Sequence, residues 1–332
     1  MTILQAGVPK SGNYWLYTIL TNIATKAGLE HKSFVQTHPI HKVAQTWDLS
    51  FAGQSDMDFL NIREKHCEFR ISAVFEEQIA DIEDYIHKSS LVWTHSPINP
   101  YALEVLPKFN KLIYIIRDPR DVAISYSKYC FTAHKLKNHP PHYEKNPECY
   151  LNNRLDPMLR NWVKHVGGYL KYKDRLNIYP VFYERFLHSF DSELIGLVKY
   201  LDIELDEKSL NQIKLDVSFD NMKKQSPKHL RKGKSAQWRQ VLTSNQKAKA
   251  EQIAGEMMAL LSYPVSSDEE SLPCVPLNLS QSQLETAIAP ANINFSDRVK
   301  QIYNFIASER TLNAKANLLK SSAKKVKQLI KA

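Results

Sequence analysis

No stretch of the 332-residue sequence approaches the roughly 20 consecutive apolar residues of a membrane-spanning helix. The four cysteines, Cys67, Cys130, Cys149 and Cys274, include no CxxC pair, so neither a zinc site nor a disulfide framework is signalled, and free thiols are the expected state. Strand-like sequence begins almost at Met1, which leaves no room for a signal peptide and sets the expectation of a cytoplasmic protein. A one-signed surface is missing too. The formal net charge is +9, but Glu309 to Ala332 holds seven Lys/Arg against one Glu, so the first 308 residues carry only +3. That is no groove for a polyanion, and nucleic acid is not expected as a partner, although one small anionic ligand is compatible. What is present, 43% hydrophobic and 24% charged residues, is the composition of a globular protein with length for one large α/β domain or two small ones.

The most informative stretch is the first. Thr2 to Trp15, including Asn13 and Tyr14, reads as a short buried strand, a tight turn containing Lys10 and the N-terminus of a helix, and an apolar helix-like run follows to Ala24. Such a turn points backbone N–H groups and the positive helix end at one place, and Lys10 adds a full charge, which suits a dianionic phosphate or sulfate. Gly7 and Gly12 have the spacing of the nucleotide-binding P-loop, but Asn13 and Tyr14 stand where the lysine and the magnesium-binding hydroxyl belong. The turn can grip an anion without the usual metal handle. The plainer reading is a strand-turn-helix whose Pro9 and Gly12 only shape the turn.

Three more places put chemistry at strand ends. Ser89 to Pro97 holds a brief apolar strand that ends in His95 before a proline turn. The carboxyl ends of strands are where α/β sheets carry their sites, although most histidines are surface or core residues. Lys111 to Ile116 reads as a strand buried on both faces, leading into Arg117 with Ser125 about two helical turns on. A guanidinium suits bidentate phosphate binding and a serine hydroxyl adds a donor; an ion pair of Arg117 with Asp118 or Asp121 is the structural alternative. Ile178 to Tyr183 is a further strand. Late in the chain, Arg231 and Lys232 precede Gly233, which allows close backbone approach to an anion, though such a string is commonly a solvated charge run. Phe219 and Trp15 are candidate partners for a flat base, with core burial as the alternative.

Together these segments resemble the cytosolic-type sulfotransferases that use 3′-phosphoadenosine 5′-phosphosulfate (PAPS). Lys10, Ser11, Gly12 and Trp15 match the family's PKSGTTW loop, with Asn13 and Tyr14 in place of two threonines. Thr94, His95 and Pro97 match KTHLP, with Trp93 in place of the lysine, and Tyr114, Arg117, Pro119, Asp121, Val122 and Ser125 match YxxRNPxDVxxS. Phe182-Tyr183-Glu184 is similar to FYE, Ser218, Phe219 and Met222 to TSFxxM, and Arg231, Lys232, Gly233 and Trp238 to RKGxxGDW. Trp162 and His165 echo a Trp-x-x-His pair of the family. The resemblance covers about residues 2 to 260. It implies an α/β fold with a central parallel sheet of P-loop nucleoside triphosphate hydrolase type, flanked by helices. It further implies His95 as general base, Lys10 at the leaving group, and Arg117, Ser125, Arg231, Lys232 and Gly233 at the 3′-phosphate. Tyr183 and Phe219 would lie at the adenine. PAPS would be the donor, 3′-phosphoadenosine 5′-phosphate (PAP) the product, no metal would be needed, and the acceptor would offer a hydroxyl or amine.

The expected layout is a sulfotransferase domain over 1–262, a Pro- and Ser-rich linker over 263–294, and a basic amphipathic helical extension over 295–332. In that extension Leu312, Ala316, Leu319, Ala323, Val326 and Ile330 form one seam opposite a lysine face. It suits docking on its own domain, self-association, or contact with an anionic membrane surface. Residues 28–90 read as irregular with a satellite core, and 134–153 as a surface loop. Two rival functions remain at this stage: a P-loop kinase for a small molecule, and a non-catalytic nucleotide-binding scaffold.

Overall fold

The computed structural model describes residues 1–292 apart from 52, 142, 226–232 and 265–270. Arg231, Lys232 and the 295–332 extension therefore lie outside the described residues.

Seven strands form one sheet in the order β4-β3-β2-β5-β1-β6-β7. They are β1 (Ile3–Gly7), β2 (Asp58–Ile62), β3 (Cys67–Ile71), β4 (Phe75–Gln78), β5 (Leu91–Thr94), β6 (Lys111–Ile116) and β7 (Ile178–Phe182). Strands β2, β5, β1, β6 and β7 are mutually parallel, while β3 and β4 add an antiparallel edge. The central strands are apolar on both faces, as in the fully buried ILQAG of β1, because helices cover both sides. On one face Leu16, Ile19 and Ile23 of the Asn13–Lys26 helix pack with Leu194, Leu197 and Ile213. On the other, the 25-residue Pro147–Lys171 helix contributes Leu155, Leu159, Trp162 and Val166 to the larger core.

The strands β2 to β4 fall in the region read as irregular. They are short, and β4 (FEEQ) is a charged edge strand of the kind that blocks further pairing, so little apolar periodicity marks them. Residues 134–153 are not one loop: Ala133–Asn138 is helical, and the long helix starts at Pro147, capped by the Asn146 side chain. Nor are the described residues beyond 262 a free linker. Ser280 and Gln283 form a capping box for the Gln281–Ile288 helix, whose Leu284 and Ala287 are buried in the main core. Gly167 makes room for it, since a Cβ there would sit 2.5 Å from Ile288. Met1–Ala291 is one compact unit. Among the described residues no helix is long and apolar enough to cross a membrane.

Candidate active site

Parallel pairing brings four strand ends to one level. Register pairs Ala6 with Thr94, Gly7 with Ile115, and Ile116 with Phe182. The residues that follow these four strands are the Val8–Gly12 turn, His95, Arg117 and Tyr183, so one rim of the sheet collects residues spread over more than half of the chain. They border a cavity of about 680 Å³. Lys10, Gly12, Asn13, Tyr14, Trp15, His95, Arg117, Ser125, Tyr183, Phe219 and Gly233 all line it.

The turn is built for close approach. Lys10 and Gly12 have left-handed backbones, with φ of 76° and 99°. The N–H groups of Asn13, Tyr14 and Trp15 open the helix and have no intrahelical partner. Asn13 braces the turn: its side-chain Nδ2 donates to the Val8 carbonyl at 2.9 Å, and its own carbonyl accepts from Gln5 at 2.9 Å. Ser11 does not line the cavity. It is buried behind the turn, with a hydroxyl that has no hydrogen-bond partner.

His95 is fixed to this turn. Its Nδ1 lies 2.5 Å from the carbonyl of Gly7, and a carbonyl only accepts, so Nδ1 carries the proton and Nε2 keeps its lone pair. Phe59 and Trp93 contact the imidazole edge-on, with centroids at 5.2 and 5.5 Å. Burial, then the Arg70 charge, lower its pKa to about 3, so the ring is neutral at physiological pH. Trp93 is buried and stacks near Tyr17, so its position supplies no charge to the reacting centre.

Arg117 spans two loops. One Nη donates to the Lys10 carbonyl at 3.1 Å and the other to the Lys234 carbonyl at 3.0 Å, while Asp121 stands off at 3.8 Å. Its Nε is buried without a partner, and its guanidinium lies 4.1 Å from the Tyr183 ring. Asp121 instead accepts from the Trp238 backbone at 3.0 Å, so the carboxylate anchors the late loop. Trp15, Tyr183 and Phe190 form an aromatic wall, and the indole of Trp15 donates to the Val217 carbonyl at 2.9 Å.

Behind the site stands a set of supporting residues, of which only Tyr169 and Tyr263 carried no signal in the sequence. From the long helix, Trp162 donates to the Arg117 carbonyl at 3.0 Å, His165 Nε2 to the His95 carbonyl at 3.1 Å, and Tyr169 to the Ser96 carbonyl at 3.0 Å. The Tyr114 hydroxyl completes the set at 2.7 Å from His165 Nδ1. Glu184 accepts from the Asp118 backbone at 3.0 Å and from the Tyr263 hydroxyl at 3.1 Å; burial, then the Asp118 charge, raise its pKa to about 7. The Trp-x-x-His spacing was visible, but only the packed helix assigns it to pinning two strand ends.

A phosphate-gripping turn after a central parallel strand, with its neighbours' ends closing over the same cavity, puts the chain among α/β proteins that bind a phosphorylated ligand at a strand-order switch point. Comparison with known proteins narrows the class. The family model for the sulfotransferase domain matches residues 2–262, and the chain belongs to that family. Curated relatives include sulfotransferase 2B1 of Rattus norvegicus, 24% identical over 275 residues (77% of this chain, 71% of the relative). Luciferin sulfotransferase of Photinus pyralis is 23% identical over 230 residues, covering 67% of this chain and 56% of the relative's length. Among solved structures, mouse sulfotransferase SULT7A1 complexed with PAP superposes with a TM-score of 0.51 at 19% identity, covering 77% of this chain and 83% of that one. Retinol dehydratase in complex with androsterone and PAP gives 0.50 at 16%, covering 75% and 78%.

Proposed function

We propose that the chain transfers the sulfuryl group of PAPS to a hydroxyl or amine of a small acceptor, with His95 as general base. The observation that carries this reading is the His95–Gly7 hydrogen bond, which holds a neutral imidazole against the turn that grips the donor's phosphosulfate. The residues fit such a donor: Arg117 lines the cavity and its Nε is a buried donor without a partner, as expected beside an anion's binding place. The PAP-bound neighbours and the family's name support the same donor.

PAPS supplies an activated sulfuryl group. His95 Nε2 takes the acceptor's proton as the acceptor oxygen or nitrogen bonds to sulfur and the bond to the nucleotide oxygen breaks. Lys10 and the helix-start N–H groups oppose the charge growing on that departing oxygen. Arg117 and Ser125, with Gly233 and the Arg231–Lys232 segment, hold the 3′-phosphate, while Tyr183, Trp15 and Phe219 hold the base. Positioning and charge stabilisation carry the acceleration, as in phosphoryl transfer.

Calorimetric titration with PAP against ATP, followed by transfer of labelled sulfate from PAPS to an acceptor panel, tests the proposal. His95→Ala should abolish transfer while PAP affinity stays within about twofold. Normal turnover in that variant removes His95 from the role of base, and ATP binding tighter than PAP rejects the donor.

A further inference from the structure

Arg70 and Lys135 line the cavity and have no part in the proposed transfer. Register pairs Phe59 with Trp93 and Leu60 with Phe69, which aligns Trp93, Phe59 and Arg70 across one face of the sheet. The Arg70 guanidinium lies 3.4 Å from the Phe59 ring centroid, and Phe59 in turn touches His95. Its Nε and Nη1 donate to neutral oxygens only, Asn61 Oδ1 at 3.3 Å and the Ser72 carbonyl at 2.5 Å. Glu76 is its register partner on the edge strand, but that carboxylate bonds to Arg63 and Asn61 instead. Lys135 lines the same cavity, its ammonium 5.4 Å from the Tyr129 ring. Among the described residues neither cation has a carboxylate within 4.0 Å.

Two half-buried cations with no carboxylate in contact are costly, because burial opposes both and the Glu76 charge offsets that cost at Arg70 only from a distance. Burial is the main cause that lowers both pKa values, that of Arg70 to about 10, and the Arg70 charge lowers Lys135 further. A pocket for a neutral apolar acceptor would gain nothing from them. Resting on the sulfotransferase reading, we infer that the acceptor is an anion: a hydroxylated, ring-bearing compound whose carboxylate or phosphate-type group pairs with Arg70 and Lys135 while its hydroxyl faces His95. Phe59 sits between the two ends, so the anionic group and the reacting hydroxyl are about one ring apart. Neutralising Arg70 also relieves the second cause of the low His95 pKa and so strengthens the base as the acceptor binds.

The test separates this inference from the reading it rests on. PAP is titrated first, and failure of PAP to bind removes both. The PAP-saturated protein is then titrated with 4-hydroxyphenylacetate and its methyl ester, and with 4-hydroxybenzylphosphonate and its diethyl ester. At least one anion should bind tenfold or more tighter than its ester, and the better one identifies the head group. Arg70→Gln and Lys135→Gln should each erase most of that preference with PAP affinity unchanged, and Arg70→Lys should restore part of it. Anions no tighter than esters, including no binding by either, overturn the inference, as does a preference that survives both glutamine variants.

Discussion

His165 offers a perturbation whose size follows from the structure. It is buried, receives the Tyr114 hydroxyl at Nδ1 and donates from Nε2 to the His95 carbonyl, an arrangement open only to the neutral ring. Burial lowers its pKa from 6.5 to about 4. The folded value lies below the unfolded one, so the unfolded chain binds the proton first as pH falls. The stabilisation is therefore complete above about pH 6.5 and is lost progressively down to about pH 4. At 1.36 kcal/mol per pKa unit, this residue should account for roughly 2–3 kcal/mol of stability lost between pH 7.5 and pH 4.5. Glutamine offers one donor and one acceptor at similar reach but does not titrate in this range. Urea unfolding of the wild type and His165→Gln at matched pH should give curves that converge by that amount as pH falls, whatever the other titrating groups do. Parallel curves would refute the buried neutral imidazole. His165→Ala should cost more at neutral pH, roughly 1–3 kcal/mol for each group left unpaired, and should reduce transfer by loosening the His95 backbone.

Gly12→Ala places a Cβ 2.5 Å from the Tyr183 ring at φ 99°, and PAP affinity measured by calorimetry should fall at least tenfold; unchanged affinity in a folded variant would sink the turn as the binding element. Arg117→Lys gives up at least one of the paired carbonyl bonds and the fork that suits a phosphate, so the preference for PAP over AMP, which lacks the 3′-phosphate, should drop by roughly tenfold to a hundredfold. An equal loss for both nucleotides would place Arg117 elsewhere. A chain ending at 262 should melt well below one ending at 292, because it loses the helix that buries Leu284 and Ala287; equal melting temperatures would make that helix dispensable.

Much of the site was legible because its chemistry is local in sequence. Gly7 to Trp15 encodes strand, turn and helix start in one run, and the apolar LIYII before Arg117 marks a strand buried on both faces whatever follows it. The sequence also shows no apolar run long enough for a membrane-spanning helix. Strands β2 to β4 were not legible, since strands of four or five residues with charged positions lack a period long enough to read. Residues 263–294 read as a linker from their prolines and serines, yet Leu284 and Ala287 find a core that only the folded long helix provides.

The sequence by itself determined which side chains could grip an anion or move a proton, because residue type and the turn-forming neighbours set that chemistry. Tertiary structure alone decided that they meet. Parallel register levels the ends of β1, β5, β6 and β7, and Trp162 and His165, more than 40 residues farther along the chain than Arg117, hold two of those ends by their carbonyls. It decided as well that Arg70 turns toward His95 without a carboxylate partner, since strand pairing and the competing bonds of Glu76, not any motif, set where that charge lies.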